Sequence, residues 1–244
     1  MLTKLQKERY SRQLLAISEK QQSILLSKKV VQVGVGGLGS PLALYLTAAG
    51  IGSLTIIEYD KISLSNLNRQ IMYSTDDIGY SKAEVSKKKL EVLNPDVKID
   101  IIQDKLTYEK YRDLIQKSDY LIDASDNTYT KFLVNDIGVE LEIPFTIAGV
   151  REMEGQIISV IPHKTACYRC VFGKSKPQGQ SNSIPKEIGI FGFTAGALGA
   201  FQAAEVIKGL LDMEGRLLNK LLMVDLQNMQ CLHVNLSRNL NCIC

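Results

Sequence analysis

The 244-residue chain is 45% hydrophobic and 23% charged, the proportions of an ordinary globular protein, which exclude a disordered or collagen-like polymer. Its 29 Lys and Arg against 26 Asp and Glu leave a net charge of +3, too little for a dedicated nucleic-acid or membrane-surface binder. A chain of this length can form one large domain whose core needs no disulfide staples.

The opening MLTKLQKERYSRQLL mixes charges with apolar positions and has no long apolar run, so residues 1–28 read as a helical arm and not a signal peptide. Val30 to Val35 is a β-branched run that stops in glycines, a buried strand. Pro41 to Ala49 comes next as a helix with proline near its start and Gly50 just past its end. Leu54 to Glu58 is a second strand, Lys82 to Leu93 a charged helix closed by Asn94-Pro95, and Val97 to Ile102 a third strand. Helix Tyr108 to Lys117, strand Tyr120 to Asp123, helix Thr128 to Glu140 and strand Phe145 to Ala148 continue the alternation. Strands alternating with helices make right-handed crossovers, hence an α/β fold with a doubly wound, mostly parallel sheet.

After Gly149 the rhythm changes. Gln156 to Ile161 reads as a strand, Cys167 to Cys170 as a knuckle, and the polar stretch Lys174 to Lys186 as a mobile crossing loop. Phe193 to Leu211 is a helix with Leu198, Phe201, Ala204, Ile207 and Leu211 along one face. Strands Leu221 to Asp225 and Cys231 to Asn235 extend the same sheet, giving one domain divided at 150 and 151. The apolar stretch Ile188 to Ile207 is broken by four glycines and carries Glu205, which suits a core helix and not a membrane span. A cytoplasmic protein is expected, its five cysteines reduced, bound to metal or nucleophilic.

Gly34-Val35-Gly36-Gly37-Leu38-Gly39 directly succeeds the first strand and opens a helix, a Rossmann-like context. Small residues there let backbone approach a phosphate at a helix N-terminus, and Glu58 ends the second strand where an acid holds ribose hydroxyls. The same loop could instead only serve tight strand–helix packing. The segment beyond Glu58 disfavours a nicotinamide dehydrogenase: Ser65, Asn66, Arg69 and Gln70 crowd one short stretch, and Lys82 opens the next helix. A triphosphate needs such added cations, whereas a dinucleotide pyrophosphate is largely satisfied by the glycines. Asp126, just beyond the fourth strand, is placed to hold Mg²⁺, or else to cap the next helix.

These segments together resemble the ThiF/MoeB/HesA family, bacterial relatives of ubiquitin-activating enzymes. The resemblance rests on Arg9-Tyr10-Ser11-Arg12-Gln13, GVGGLGS, SNLNRQ, Gly79-Tyr80-Ser81-Lys82, DASDN, Gly155-Gln156, CYRC and Gly196-Ala197-Leu198-Gly199 with Gln202-Ala203. It runs from about Arg9 to Cys244 with the motifs in order. It implies an ATP-dependent adenylyltransferase that joins AMP to the C-terminal glycine carboxylate of a small ubiquitin-like sulfur carrier protein. By similarity, Gly34, Gly36, Gly37 and Gly39 admit the nucleotide and Glu58 binds ribose. Ser65, Asn66, Arg69, Gln70 and Lys82 surround the phosphates, Asp126 anchors Mg²⁺ and Asn127 lines the adenine side. Arg12 matches an arginine that reaches into the neighbouring subunit's site, which implies a homodimer with shared sites; a plain surface arginine is the alternative. Residues 151–244 would then be the half that receives the carrier and holds zinc.

Cys167-Tyr168-Arg169-Cys170 and Cys242-Ile243-Cys244 could form a four-thiolate structural Zn²⁺ site. The family's second pair is CxxC, so the tighter CxC here makes Cys244 the questionable ligand. Cys231 sits in an apolar alternation and is expected to be a buried, inert thiol. Relatives that link covalently to their carrier keep a cysteine in the crossing loop, but Ser181 to Glu187 contains none, with Pro185 at about the matching place. That favours MoeB-type chemistry, with a separate sulfur donor taking the adenylate. His163 and His233 read as ordinary solvated or core histidines, and the Arg151–Glu154 stretch departs from the family by about one residue. Two other readings stay open: adenylation of a short ribosomal peptide, and a non-catalytic nucleotide-binding dimer partner. Neither nucleic acid nor membrane is an expected partner.

Overall fold

The computed structural model describes residues 1–173, 189–239 and 241–244. The arm carries two short helices, α1 (Lys4–Arg9) and α2 (Glu19–Leu25), each opened by a reciprocal capping box, Thr3 with Gln6 and Ser18 with Gln21. Then come β1 (Lys29–Val33), α3 (Gly39–Ala49), β2 (Ser53–Ile57), α4 (Lys82–Leu93), β3 (Lys98–Ile102), α5 (Tyr108–Ile115), β4 (Tyr120–Asp123) and α6 (Thr128–Glu140). The chain continues through β5 (Phe145–Arg151), β6 (Glu154–Val160), α7 (Tyr168–Phe172), α8 (Gly192–Leu210), β7 (Lys220–Asp225) and β8 (Gln230–Asn235).

The eight strands form one sheet in the order β3-β2-β1-β4-β5-β6-β7-β8. β1 to β5 run parallel, and β6, β7 and β8 are added antiparallel. The order reverses between β1 and β4, so the loops leaving these strands part in opposite directions and open a crevice at their carboxyl ends. The division at 150 and 151 falls inside β5.

Strand alternation feeds two cores. Val30, Leu54, Ile56 and Ile122 face Leu42 and Leu46 of α3, Leu90 of α4, and Leu198 and Val206 of α8. Val31, Leu121, Phe145 and Ile158 face Ile115 of α5, Phe132 and Ile137 of α6, and Tyr168 of α7. Two expectations change. On α8 the buried face is Leu198, Gln202, Ala203, Val206 and Leu210, while Phe201 and Ala204 are exposed. A helix apolar on most of its circumference gives the periodicity no unique stripe. Cys231 is likewise exposed and not buried, because every side chain of β8 is exposed at the end of the sheet. The Cys167 to Cys170 segment is the start of a short helix, and the expected loop 174–186 lies outside the described residues.

Candidate functional site

The glycine loop is shaped by close approaches. Gly34 has φ +90°, and a Cβ there would lie 2.9 Å from the Ala124 carbonyl oxygen. At Gly39 a Cβ would stand 2.2 Å from the Gly34 carbonyl oxygen. These two glycines fold the loop tightly between β1 and α3. Gly36 differs: the nearest atom to its Cβ position is the Gln70 amide nitrogen, 3.5 Å away. Gln70 is buried, and its Oε1 has no hydrogen-bond partner among the described residues. Gly36 thus leaves free backbone beside an unsatisfied amide, which fits a polar ligand laid along the loop.

Glu58 is buried and already oriented. Its Oε2 accepts from the Val35 N–H at 3.1 Å and its Oε1 from the Asp60 N–H at 2.9 Å. Tyr73 and Ser40 prop the loop from below, both donating to the Val35 carbonyl, at 2.8 and 2.9 Å. Burial, with Glu58 and Asp77 nearby, pushes the Tyr73 phenol far up and keeps it a donor.

Arg69 reaches the loop from the other side. Its Cγ lies 3.5 Å from the Gly37 Cβ position, while its Nη1 donates to the Ser65 carbonyl at 2.9 Å and Asn68 Oδ1 at 3.0 Å. Asn66 shapes this segment by accepting from the Ser63 N–H, and Ser65 is exposed. Lys82, the first residue of α4, is buried with its Nζ 3.0 Å from Asp60 Oδ2. Asp126 is exposed at the end of β4. Partial burial, and after it Asp60, Asp126 and Glu58, raises the neighbouring Tyr59 phenol, so the three carboxylates surround one corner. The helix cap is Asn127, whose Oδ1 accepts from the Thr130 N–H at 2.8 Å. That leaves Asp126 free of the capping alternative.

Arg12 is not brought to this corner. Beside it, Gln13 donates to the Ala49 carbonyl, Tyr10 packs on Gly50 and Arg9 donates to the Leu93 carbonyl. These contacts fix the arm at the C-terminal end of α3, whose 11 residues put it about 16 Å from the glycine loop. Arg12 is exposed there, out of reach of its own chain's crevice.

The four paired cysteines do come together. Cys167 and Cys242 Sγ are 3.5 Å apart, Cys170 and Cys244 Sγ 3.3 Å, and all four lie within 4.8 Å of one another. A tetrahedral Zn–S bond of ~2.3 Å requires sulfur separations of about 3.8 Å. Cys244 joins the cluster in spite of its short CxC spacing, because Asn239 turns the tail and donates its N–H to Cys170 Sγ at 3.3 Å. Burial pushes the Cys167 thiol up; at Cys170 burial is outweighed by N–H donation from Asn239 and the backbone contact with Cys167, leaving it at about 7. All five cysteines are free thiols. His163, in a turn with φ +60°, and His233, on β8, are exposed; Arg238 donates to the His163 carbonyl, and neither imidazole belongs to the four-thiol cluster.

The model of the ThiF family matches residues 10–244. The chain belongs to the ThiF family. It is 37% identical to the sulfur carrier protein adenylyltransferase of Thermus thermophilus over 98% of this chain and 91% of that one. It is 37% identical to the sulfur carrier protein ThiS adenylyltransferase of Escherichia coli over 84% of this chain and 82% of that one. Among solved structures, E. coli MccB with MccA-N7isoASN superposes with a TM-score of 0.85 at 26% identity, over 97% of this chain and 73% of that one. The ThiF-family chain is accordingly an enzyme of the nucleotidyltransferase class. Among the described residues no helix is long and apolar enough to cross a membrane.

Three residues of this ThiF-family site escape detection from sequence. Asp60 pairs with Lys82, and its signal is a second acid two residues after Glu58. Lys105 sits with its Nζ 4.8 Å from the Tyr59 ring centroid, a contact across two loops with no sequence signal. Lys131 is buried against Asp123, eight residues away along the chain.

Proposed function

We propose that the enzyme uses ATP to adenylate the C-terminal glycine carboxylate of a small ubiquitin-like sulfur carrier protein, releasing pyrophosphate. The observation that carries this reading is the convergence of Gly36, Arg69, Lys82, Glu58 and Asp126 on one crevice. The names of the Thermus and E. coli relatives support the substrate class. A terminal carboxylate is ionised at neutral pH, so no general base is needed. Its oxygen forms a bond to the α-phosphorus, the bond to the bridging oxygen of the β-phosphate breaks, and pyrophosphate leaves with the electron pair. The protein's task is alignment and neutralisation of charge. Arg69 and Lys82 supply fixed positive charge, Gly36 backbone access, and Glu58 a carboxylate already aimed for ribose. Arg12 acts across a homodimer on the partner's nucleotide.

The carboxylates of Asp126, Asp60 and Glu58 at the Tyr59 corner are hard oxygen donors and suit Mg²⁺, with Asp126 the exposed one free to take it. Bound there, the ion would draw off negative charge from the phosphates. The four thiols suit a closed structural Zn²⁺ that ties the C-terminal residues to α7. With no cysteine among Ser181–Glu187, the adenylate passes to a separate sulfur donor. Five free thiols suit the reducing cytoplasm.

A second reading, adenylation of a short ribosomal peptide, is favoured by the likeness to MccB solved with MccA-N7isoASN. Carrier-dependent ATP–pyrophosphate exchange tests the first reading. Exchange is expected with a Gly-Gly-ending carrier and lost in Arg69→Ala and Asp126→Ala at unchanged melting temperature. Exchange with a short peptide alone would shift the conclusion to the second reading, and near-wild-type exchange in either variant would overturn that residue's role. No exchange with either substrate would leave a nucleotide-binding dimer partner.

A further inference from the structure

We propose that Lys131 is a positioning residue: its buried ammonium fixes the turn that presents Asp126, and thereby sets the strength of magnesium-dependent ATP binding. The inference rests on the role of Asp126 given above.

Lys131 lies in the first turn of α6 with 8% of its surface exposed. A lysine placed there on a surface helix would ordinarily extend into water, since an unpaired buried ammonium is costly. Here all three of its protons have acceptors: Asp123 Oδ2 at 2.7 Å, the Ser125 carbonyl at 2.8 Å and the Ala148 carbonyl at 2.6 Å. The three acceptors belong to the end of β4, the turn after it, and β5. One side chain therefore joins the two strands and the turn between β4 and α6.

The turn is held from its other members as well. Asp123, with no exposed surface, accepts from Ser125 Oγ at 2.5 Å, and its carbonyl accepts from Gln202 Nε2 of α8 at 2.8 Å. Burial pushes the Asp123 carboxyl up, against the pull of Lys131 and Ser125. Asn127 is locked as the α6 cap. Asp126 thus stands between two anchored residues, Ser125 and Asn127, with its own side chain exposed. Groups one step behind a ligand carboxylate fix its orientation, and their loss lowers metal affinity by ~10–100-fold.

Lys131→Met alone would strand a buried carboxylate and could unfold the protein. The double variant Lys131→Met/Asp123→Asn removes both charges while keeping shape, so the fold is retained and the turn loses its tether. Titration calorimetry with ATP, with and without Mg²⁺, reads the effect without any carrier. The double variant is expected to bind ATP with Mg²⁺ about tenfold more weakly than wild type, and ATP without Mg²⁺ equally well. In an Asp126→Ala background the same two changes should add no further loss, because the residue they position is gone.

If the double variant does not melt cooperatively, Lys131→Arg replaces it in the same cycle: the guanidinium keeps a cation beside Asp123 while shifting the donors off Ser125 and Ala148. Unchanged Mg²⁺-dependent affinity, an equal loss with and without Mg²⁺, an undiminished further loss in the Asp126→Ala background, or a wild type whose ATP binding ignores Mg²⁺ would each overturn the proposal. Failure of pyrophosphate exchange with intact Mg²⁺–ATP binding would instead count only against the proposed substrate.

Discussion

A Cβ added to Gly39 would stand 2.2 Å from the carbonyl oxygen of Gly34, backbone against backbone within one loop. At Gly36 the nearest atom would be 3.5 Å away and belongs to the side chain of Gln70. The same substitution should therefore have opposite consequences at the two positions. Gly39→Ala is expected to cost about 3 kcal/mol or more through forced displacement of the loop. Gly36→Ala should melt within a few degrees of wild type yet bind ATP at least about tenfold more weakly, since its Cβ occupies the ligand's approach. Melting curves and ATP titrations on both proteins check the pair.

Arg12 belongs to the arm held at the end of α3 opposite its own glycine loop, the helix between them being about 16 Å long. Shared sites then make a specific prediction. Arg12→Ala and Asp126→Ala should each be inactive alone, but an equal mixture that exchanges subunits should regain about one quarter of wild-type exchange activity. Half of the dimers are then mixed, and one of the two crevices in each is intact. No recovery after confirmed subunit exchange would place both residues in one crevice or remove Arg12 from the reaction.

The metal centre predicts one zinc per chain in protein purified without chelator, by elemental analysis. Cys244→Ser should lower the zinc content and the melting temperature together, because Cys244 Sγ is 3.3 Å from Cys170 Sγ and completes the set of four. Cys231→Ser, at an exposed strand position outside the cluster, should change neither.

Acid should destabilise the fold through two loop carboxylates. Lys110, then Tyr111 and the Lys105 N–H, hold the Asp104 carboxyl at about 2. Burial works to raise Asp77, but donation from Lys89 and Ser74 outweighs it and leaves that carboxyl below its usual range. Both are depressed in the folded state, so the unfolded chain binds more protons as pH falls below about 4. The stability these groups contribute is present above that value and lost as pH falls towards 2. Denaturant midpoints between pH 5 and 2.5 should drop for wild type and drop less steeply for Asp77→Asn and Asp104→Asn.

The alternating elements were legible because strand runs such as Val30 to Val33 are short, β-branched and bounded by glycine or proline, and helix α4 is framed by Ser81 and Asn94-Pro95. The residues proposed for the crevice were nameable because they belong to the connections leaving β1, β2 and β4, which the alternation of strands and helices already marks. What the sequence did not disclose depends on contacts between distant elements. Cys231 lies on the exposed last strand in spite of an apolar alternation, since nothing in local pattern says whether a helix covers a strand. The face expected for α8, through Phe201 and Ala204, is wrong for the same reason, and its buried Gln202 and Glu205 make sense only with their partners on β4, β6 and the segment before β7. Nothing in the local pattern around Lys131 marks it as buried, because its three acceptors come from Asp123, Ser125 and Ala148 on other parts of the fold.

α8 bears on two loops at once. At Gly192 a Cβ would meet the Asn68 carbonyl oxygen at 2.4 Å, and at Gly199 the Leu38 carbonyl oxygen at 2.6 Å. The N-terminal half of α8 therefore presses on both the segment carrying Arg69 and the segment that opens α3, with no slack at either contact. Neither can breathe without lifting the helix from the sheet. Their amide protons should accordingly trade with solvent deuterium at a common rate, as a single cooperative unit, even though the two segments lie far apart along the chain.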